Sequence, residues 1–294
     1  MINLNEFEIW FLTGSQNLYG PETLEQVAAH SQEIAAALND AAAIPTRVVY
    51  KPVLTTPEEI LDVCQQANST PKCVGVVAWM HTFSPAKMWI GGLSCLTKPV
   101  CHLHTQFNRD IPWSEIDMDF MNLNQSAHGD REFGHITSRL RMPRKVVVGY
   151  WKDEETLRKI ASWMRVCAGW ADAQGMLIIR FGDNMNNVAV TDGDKVEAEI
   201  RLGYHVDNAP IATLVPYVEA VTDDEIDALV SEYAQIYDFA DDCRKGAEKH
   251  QFVRDAAAQE IGLRRFLQDK GAKAFTTSFN ELEGMKQLMG FASQ

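Results

Sequence analysis

From Glu8 to Tyr150 the chain alternates short apolar runs with longer amphipathic stretches, and several of the stretches begin at a recognisable helix cap. This alternation limits the fold more than any other feature. An apolar run of five to eight residues bounded by turn residues reads as a buried strand, and a stretch with apolar residues three and four apart reads as a helix. Strands joined by helices must run parallel, with the helices covering the sheet.

The run Glu8 to Thr13 predicts a first strand, and Pro21 is placed to open a helix through about Leu38. Arg47 to Lys51 predicts a second strand. Thr56 then caps a helix that Pro57 opens, with Glu58 and Glu59 at the positive end of its dipole. Lys72 to Trp79 predicts a third strand, followed by a helix opened by Ser84 and Pro85. Val100 to His104 and Lys145 to Tyr150 complete five strands, and Asp117 to Leu140 between them reads as mostly helical. The expected fold is α/β: a doubly wound, mostly parallel, flavodoxin- or Rossmann-like sheet over residues 1–175.

The strand pattern restarts at Met176 to Phe181. Helices are predicted near Lys195 to Leu202 and Ile211 to Ala220, and Thr222-Asp223-Asp224-Glu225 is a capping-box pattern with two more helical stretches after it. Gly271 is a candidate left-handed cap, and Ala272 to Ser278 reads as a last strand. Residues 176–294 are therefore expected to form a second α/β domain that is incomplete.

Charge and cysteine usage narrow the function classes. A net charge of −13 repels polyanions, which argues against nucleic acid as a partner. No apolar stretch approaches the roughly 18 residues of a membrane span, and the first residues lack the basic start of an export signal. The six cysteines show no Cys-x-x-Cys spacing and read as reduced, buried thiols, so the expected location is the cytoplasm.

Ligands of open parallel sheets bind beyond the carboxyl ends of the strands. The loop Gly14 to Gly20 lacks the dinucleotide spacing of glycines. Its Gln16, Asn17 and Tyr19 supply neutral donors and acceptors, which suit sugar hydroxyls better than an anion, although a plain solvated turn has the same spacing. His102 and His104 fall on one face of the fourth strand, where two imidazoles could bind a metal if further ligands join them; satisfied core histidines are the plainer reading. His128, Glu132 and His135 share one helical face, a pattern fit for metal binding, acid–base work or an ion-pair network. Glu281 and Glu283 follow the last predicted strand and offer paired carboxylates for proton transfer, or simply exposed charge.

The wording of the loops then adds to their spacing. The string Trp10-Phe11-Leu12-Thr13-Gly14-Ser15-Gln16-Asn17-Leu18-Tyr19-Gly20-Pro21-Glu22-Thr23-Leu24 closely resembles the start of bacterial L-arabinose isomerases. So do the runs Trp79 to Trp89, His104 to Asn108, Asp117 to Gly129, Arg131 to Gly134, Arg180 to Met185, Val188 to Lys195 and Ala274 to Thr277. The resemblance runs nearly end to end.

It implies an aldose–ketose isomerase of carbohydrate catabolism that converts L-arabinose to L-ribulose and often D-galactose to D-tagatose. It also implies manganese and a homo-oligomer, usually a hexamer, whose pockets form between protomers. Position by position, it implies that Gln16, Leu18, Phe83, Gln125 and His128 are lent to a neighbour's pocket, while Met185 and Phe279 wall the protomer's own. Members of the family are longer than 294 residues, and two catalytic glutamates and two metal-binding histidines of those members have no counterpart between Met1 and Gln294. The metal ligands of this chain are therefore unknown from sequence.

Three functions are compatible with these residues. The chain is an isomerase, with Glu281 or Glu283 as the base and His128 with Glu132 polarising the substrate or holding a metal. Alternatively it is a sugar-binding or assembly module without catalysis, or a fragment whose exposed sheet edge and apolar patches favour self-association.

Overall fold

The computed structural model describes residues 3–280 and 282–293. The chain divides into two compact units, Met1–Ala171 and Asp172–Gln294.

The first unit contains β1 (Glu8–Gly14), α1 (Pro21–Asp40), β2 (Arg47–Tyr50), α2 (Pro57–Ser69), β3 (Cys73–Met80), α3 (Ile90–Cys95), β4 (Val100–His104), α4 (Met118–Leu123), α5 (Ser126–Arg139), β5 (Lys145–Val148) and α6 (Glu154–Ala173). Its five strands lie in the order β2-β1-β3-β4-β5, and every pairing is parallel. The order reverses direction between β1 and β3, which is the switch point of a doubly wound sheet.

Alternation along the strands builds two core layers. Ile9 and Phe11 of β1, with Val77 and Trp79 of β3, pack against Ile34 and Leu38 of α1 and Ile160 and Met164 of α6. Trp10 and Leu12, with Val76, Ala78 and Met80, pack on the other side against Ile60 of α2, Leu93 of α3 and Phe133 of α5. Both faces are covered, which explains why β3 is buried at all eight positions. Each fully buried side chain of this size contributes about 1.5–3 kcal/mol.

Local chemistry sets the ends of these elements. The Thr56 hydroxyl accepts from the Glu59 N–H at 3.2 Å while the Glu59 carboxylate accepts from the Thr56 N–H at 3.2 Å, a reciprocal cap on α2. The helix expected from Ser84 and Pro85 starts instead as a 3-10 turn at Ala86–Trp89 that runs into α3. Ser84 does not cap it; its hydroxyl accepts from the Trp89 indole N–H at 3.0 Å.

The second unit contains β6 (Leu177–Phe181), α7 (Lys195–Leu202), β7 (His205–Ala209), α8 (Val215–Glu219), α9 (Asp223–Ile236), α10 (His250–Lys270) and β8 (Ala274–Thr277). The strands form a parallel sheet in the order β7-β6-β8. Ile179 and Phe181 of β6 pack with Leu214, Leu263 and Phe266. Thr222 and Glu225 close a capping box on α9, and Gly271 ends α10 at φ 66°, in the left-handed region. The strand β7 has no counterpart in the sequence pattern. Its residues are mostly exposed and polar, so no apolar run announces it.

All six cysteines are free thiols. Burial pushes Cys64, Cys101 and Cys167 up to about 12, far from any reactive thiolate. No helix among the described residues is long and apolar enough to cross a membrane.

Candidate functional site

The loops after β1 and β3 leave the sheet side by side at the switch point. Gly14 ends β1 where any Cβ would stand 2.7 Å from the Ser84 hydroxyl, so the two chain segments approach as closely as they do because this residue is glycine. The buried hydroxyls of Ser15 and Thr82 lie 2.8 Å apart. The Gln16 side-chain amide donates to the Phe83 carbonyl at 3.1 Å. Two loops from different β-α units are thereby held as one surface.

Helix α5 joins them from a third direction. The Ser126 hydroxyl donates to the His81 carbonyl at 3.2 Å, which pins the start of α5 to the loop after β3. Gly129 allows this contact, since a Cβ there would lie 2.8 Å from the Thr82 carbonyl oxygen. The result places the His128 ring on Phe83, with centroids 4.4 Å apart and an interplanar angle of 26°. Gln125 precedes the helix and donates to the Asn122 side-chain oxygen at 3.2 Å. Leu18, on the turn Asn17–Tyr19, is 84% exposed.

Gln16, Phe83 and His128 are therefore brought together. Their polar groups are an amide and an imidazole beside an aromatic face, a set that can pair with hydroxyls and with the apolar C–H face of a sugar. It supplies one imidazole and no carboxylate, so this cluster by itself does not fit a manganese ion.

Met185 and Phe279 belong to the second unit. Both line one cleft of about 450 Å³ with Arg180, Thr191, Lys195 and Thr277. The Met185 N–H donates to the Thr191 hydroxyl at 3.0 Å, which shapes the loop after β6. Glu283 is exposed at φ 32°, and its carboxylate accepts a long hydrogen bond of 3.4 Å from the Ala212 N–H. Glu281 lies outside the described residues.

The helical face of His128, Glu132 and His135 resolves into separate roles. His128 stacks on Phe83, whereas the Glu132 carboxylate accepts from the Ala86 N–H at 2.7 Å and His135 is exposed. Glu132 thus holds the turn that leads into α3.

The histidines of β4 find a partner that the sequence pattern does not mark. His102 Nε2 lies 2.8 Å from Asp130 Oδ1, and His102 Nδ1 lies 2.9 Å from His104 Nε2. Burial pushes His102 down to about 3 and Asp130 up to about 7, and it also lowers His104. Sequence spacing misses Asp130 because it stands 28 residues from His102, on α5. A second buried imidazole, His81, has Nε2 at 2.7 Å from His30 Nδ1 and is pushed down to about 3 by burial.

Comparison with known proteins covers the whole chain. The family model for the L-arabinose isomerase N-terminal domain matches residues 3–175, and that for the L-arabinose isomerase central domain matches residues 177–294. The chain is 58% identical over 294 residues to an L-arabinose isomerase of Herpetosiphon aurantiacus, covering 100% of this chain and 59% of that relative. It is 57% identical over 296 residues to one of Bacteroides thetaiotaomicron, covering 99% of this chain and 58% of the relative. Against one of Geobacillus thermodenitrificans it is 52% identical over 294 residues, with 100% and 59% covered. The chain thus spans somewhat under three fifths of the length of these curated relatives.

Proposed function

Because the chain belongs to the L-arabinose isomerase family, we propose that it acts in the isomerisation of L-arabinose to L-ribulose, as the part that receives and orients the sugar. The observation that carries this reading is the tie between Gln16, Phe83 and His128 at the switch point. Gln16, Leu18, Phe83, Gln125 and His128 form the contribution of the first unit, and Met185 and Phe279 that of the second. In a homo-oligomer the first set faces the pocket of a neighbouring protomer. D-Galactose, with the same reacting aldehyde and adjacent hydroxyl, is the second substrate.

The chemistry demands little beyond positioning and one base. A carboxylate takes the proton from C2, an enediol forms, and the proton returns to C1 while the hydroxyl proton moves from O2 to O1. Donors aimed at the developing oxyanion lower the barrier. Glu281 and Glu283 are the candidates for the carboxylate among these residues. The manganese of the family finds no set of ligands in the Gln16–His128 cluster, so no step is assigned to it.

The test is ketose formation from L-arabinose by the purified chain, with and without Mn²⁺, in the native protein and in Glu281→Gln and Glu283→Gln. Turnover that one of these variants abolishes supports the isomerase. Binding of the sugar without turnover in any condition favours the second reading, a sugar-binding module, which the loosely held, exposed carboxylate of Glu283 makes specific.

A further inference from the structure

His104 and Asp130 line a separate cleft of about 520 Å³, between the end of β4, the end of β5 and α5, with Gln106, Asn108 and Tyr150 around them and two arginines at its edge, Arg109, which is paired with Asp153, and the exposed Arg131. A carboxylate that takes up a cation does so ionised, and the hydrogen bonds then fix what the pair presents to the cleft. An ionised carboxylate can only accept, so against Asp130 Oδ1 the His102 Nε2 must carry its proton. His102 Nδ1 is then an acceptor, and the His104 Nε2–H donates to it. His104 Nδ1 is left with a lone pair, and it stands 4.0 Å from Asp130 Oδ2, also an acceptor.

Two lone-pair atoms from different elements therefore face one another at the cleft, backed by a buried imidazole that orients both. A proton donor or a cation must satisfy them. Metal–nitrogen and metal–oxygen bonds of about 2.0–2.2 Å span this gap with a slight closing of the pair. Among the described residues His102, His104 and Asp130 are the one group whose possible ligand atoms gather within 4.8 Å. His102 plays the outer role familiar from metal sites, in which a second group bonded to the ligands sets their tautomer and direction.

The geometry points to a divalent transition-metal site in which His104 Nδ1 and Asp130 Oδ2 are the protein ligands and His102 is the positioning residue, with cleft water completing the shell. This site is separate from the sugar-facing cluster, so its test does not depend on isomerase activity.

The experiment is titration of the full chain with Co²⁺ in mildly alkaline buffer, followed by visible absorption and by calorimetry. The expected result is saturable binding of one ion with nitrogen and oxygen ligand-field bands and without a thiolate charge-transfer band. His104→Gln and Asp130→Asn should each weaken it at least about tenfold. His205→Gln, at the exposed histidine paired with Glu199 and Asp207, should leave it unchanged. His104 is half-buried at the rim, so His104→Gln keeps the test valid even where Asp130→Asn disturbs folding; melting curves of each variant verify this. Binding that survives His104→Gln in a folded variant, that vanishes with His205→Gln, or that shows the thiolate band would overturn the assignment, as would the absence of saturable binding.

Discussion

The Gln16 amide reaches the Phe83 carbonyl at 3.1 Å and so ties the loop after β1 to the loop after β3 across the switch point of the sheet. These two loops leave the sheet on either side of the reversal in strand order, so the bond sits where an α/β sheet opens for a ligand. Gln16→Ala should cost about 0.5–1.5 kcal/mol of stability through the lost bond. It should also weaken sugar binding by more than that loss explains, which paired urea unfolding and sugar titration would check. Equal sugar affinity in the variant would confine Gln16 to a structural part.

The stack of His128 on Phe83 is the second link. A double-mutant cycle with Phe83→Leu and His128→Ala should show a coupling of about 0.5–1.5 kcal/mol in unfolding. Zero coupling would mean that the rings are merely adjacent.

Gly129 tests how tightly α5 must approach β3. A Cβ there meets both the Met80 side chain and the Thr82 carbonyl at 2.8 Å, and a carbonyl in a fixed loop cannot yield as a flexible side chain does. Gly129→Ala should destabilise the first unit by about 1–3 kcal/mol, despite alanine's better helix propensity. Gly169→Ala in α6, where nothing lies within 4 Å of a Cβ, should show no such penalty. Thermal melts of the two variants compare them directly.

His81 gives a pH dependence with a definite sign. Its folded pKa of about 3, set by burial, lies below the ordinary 6.5. Between those values the unfolded chain binds a proton that the folded chain refuses, so stability rises with pH across this window and falls as pH drops from 6.5 toward 3. The contribution is on the order of several kcal/mol at the acid end. Urea unfolding at about pH 7 and about pH 5, on either side of the ordinary histidine range, should show less acid sensitivity in His81→Gln than in the native chain. An unchanged pH slope would contradict a neutral His81.

The fold is legible in the sequence where burial forces a pattern. β1 and β3 are apolar on both faces because helices cover both faces, and the Thr56 and Thr222 caps carry their own sequence signature. β7 is hidden because His205, Asp207 and Asn208 are exposed and its pairing is with β6 alone, so hydrogen bonding rather than apolar burial makes it a strand. The site is half legible. Gln16, Phe83 and His128 stand out by residue type, and the family likeness groups them, but only the fold shows the contacts by which the three segments meet. Helical spacing puts Glu132 and His128 on one face without saying what that face touches, and only the fold shows Glu132 bonded to the Ala86 N–H and His128 stacked on Phe83. It also passes over Asp130, whose partners come from a strand distant in sequence.

Whether the joined loops of the first unit hold a sugar is decided by calorimetric titration of L-arabinose into the native chain and into Gln16→Ala and His128→Ala. The expected result is saturable binding to the native chain that each substitution weakens by about tenfold or more, equivalent to roughly 1.4 kcal/mol. Sugar binding unaffected by both substitutions, or no binding by a folded native chain, would contradict a sugar site at these loops.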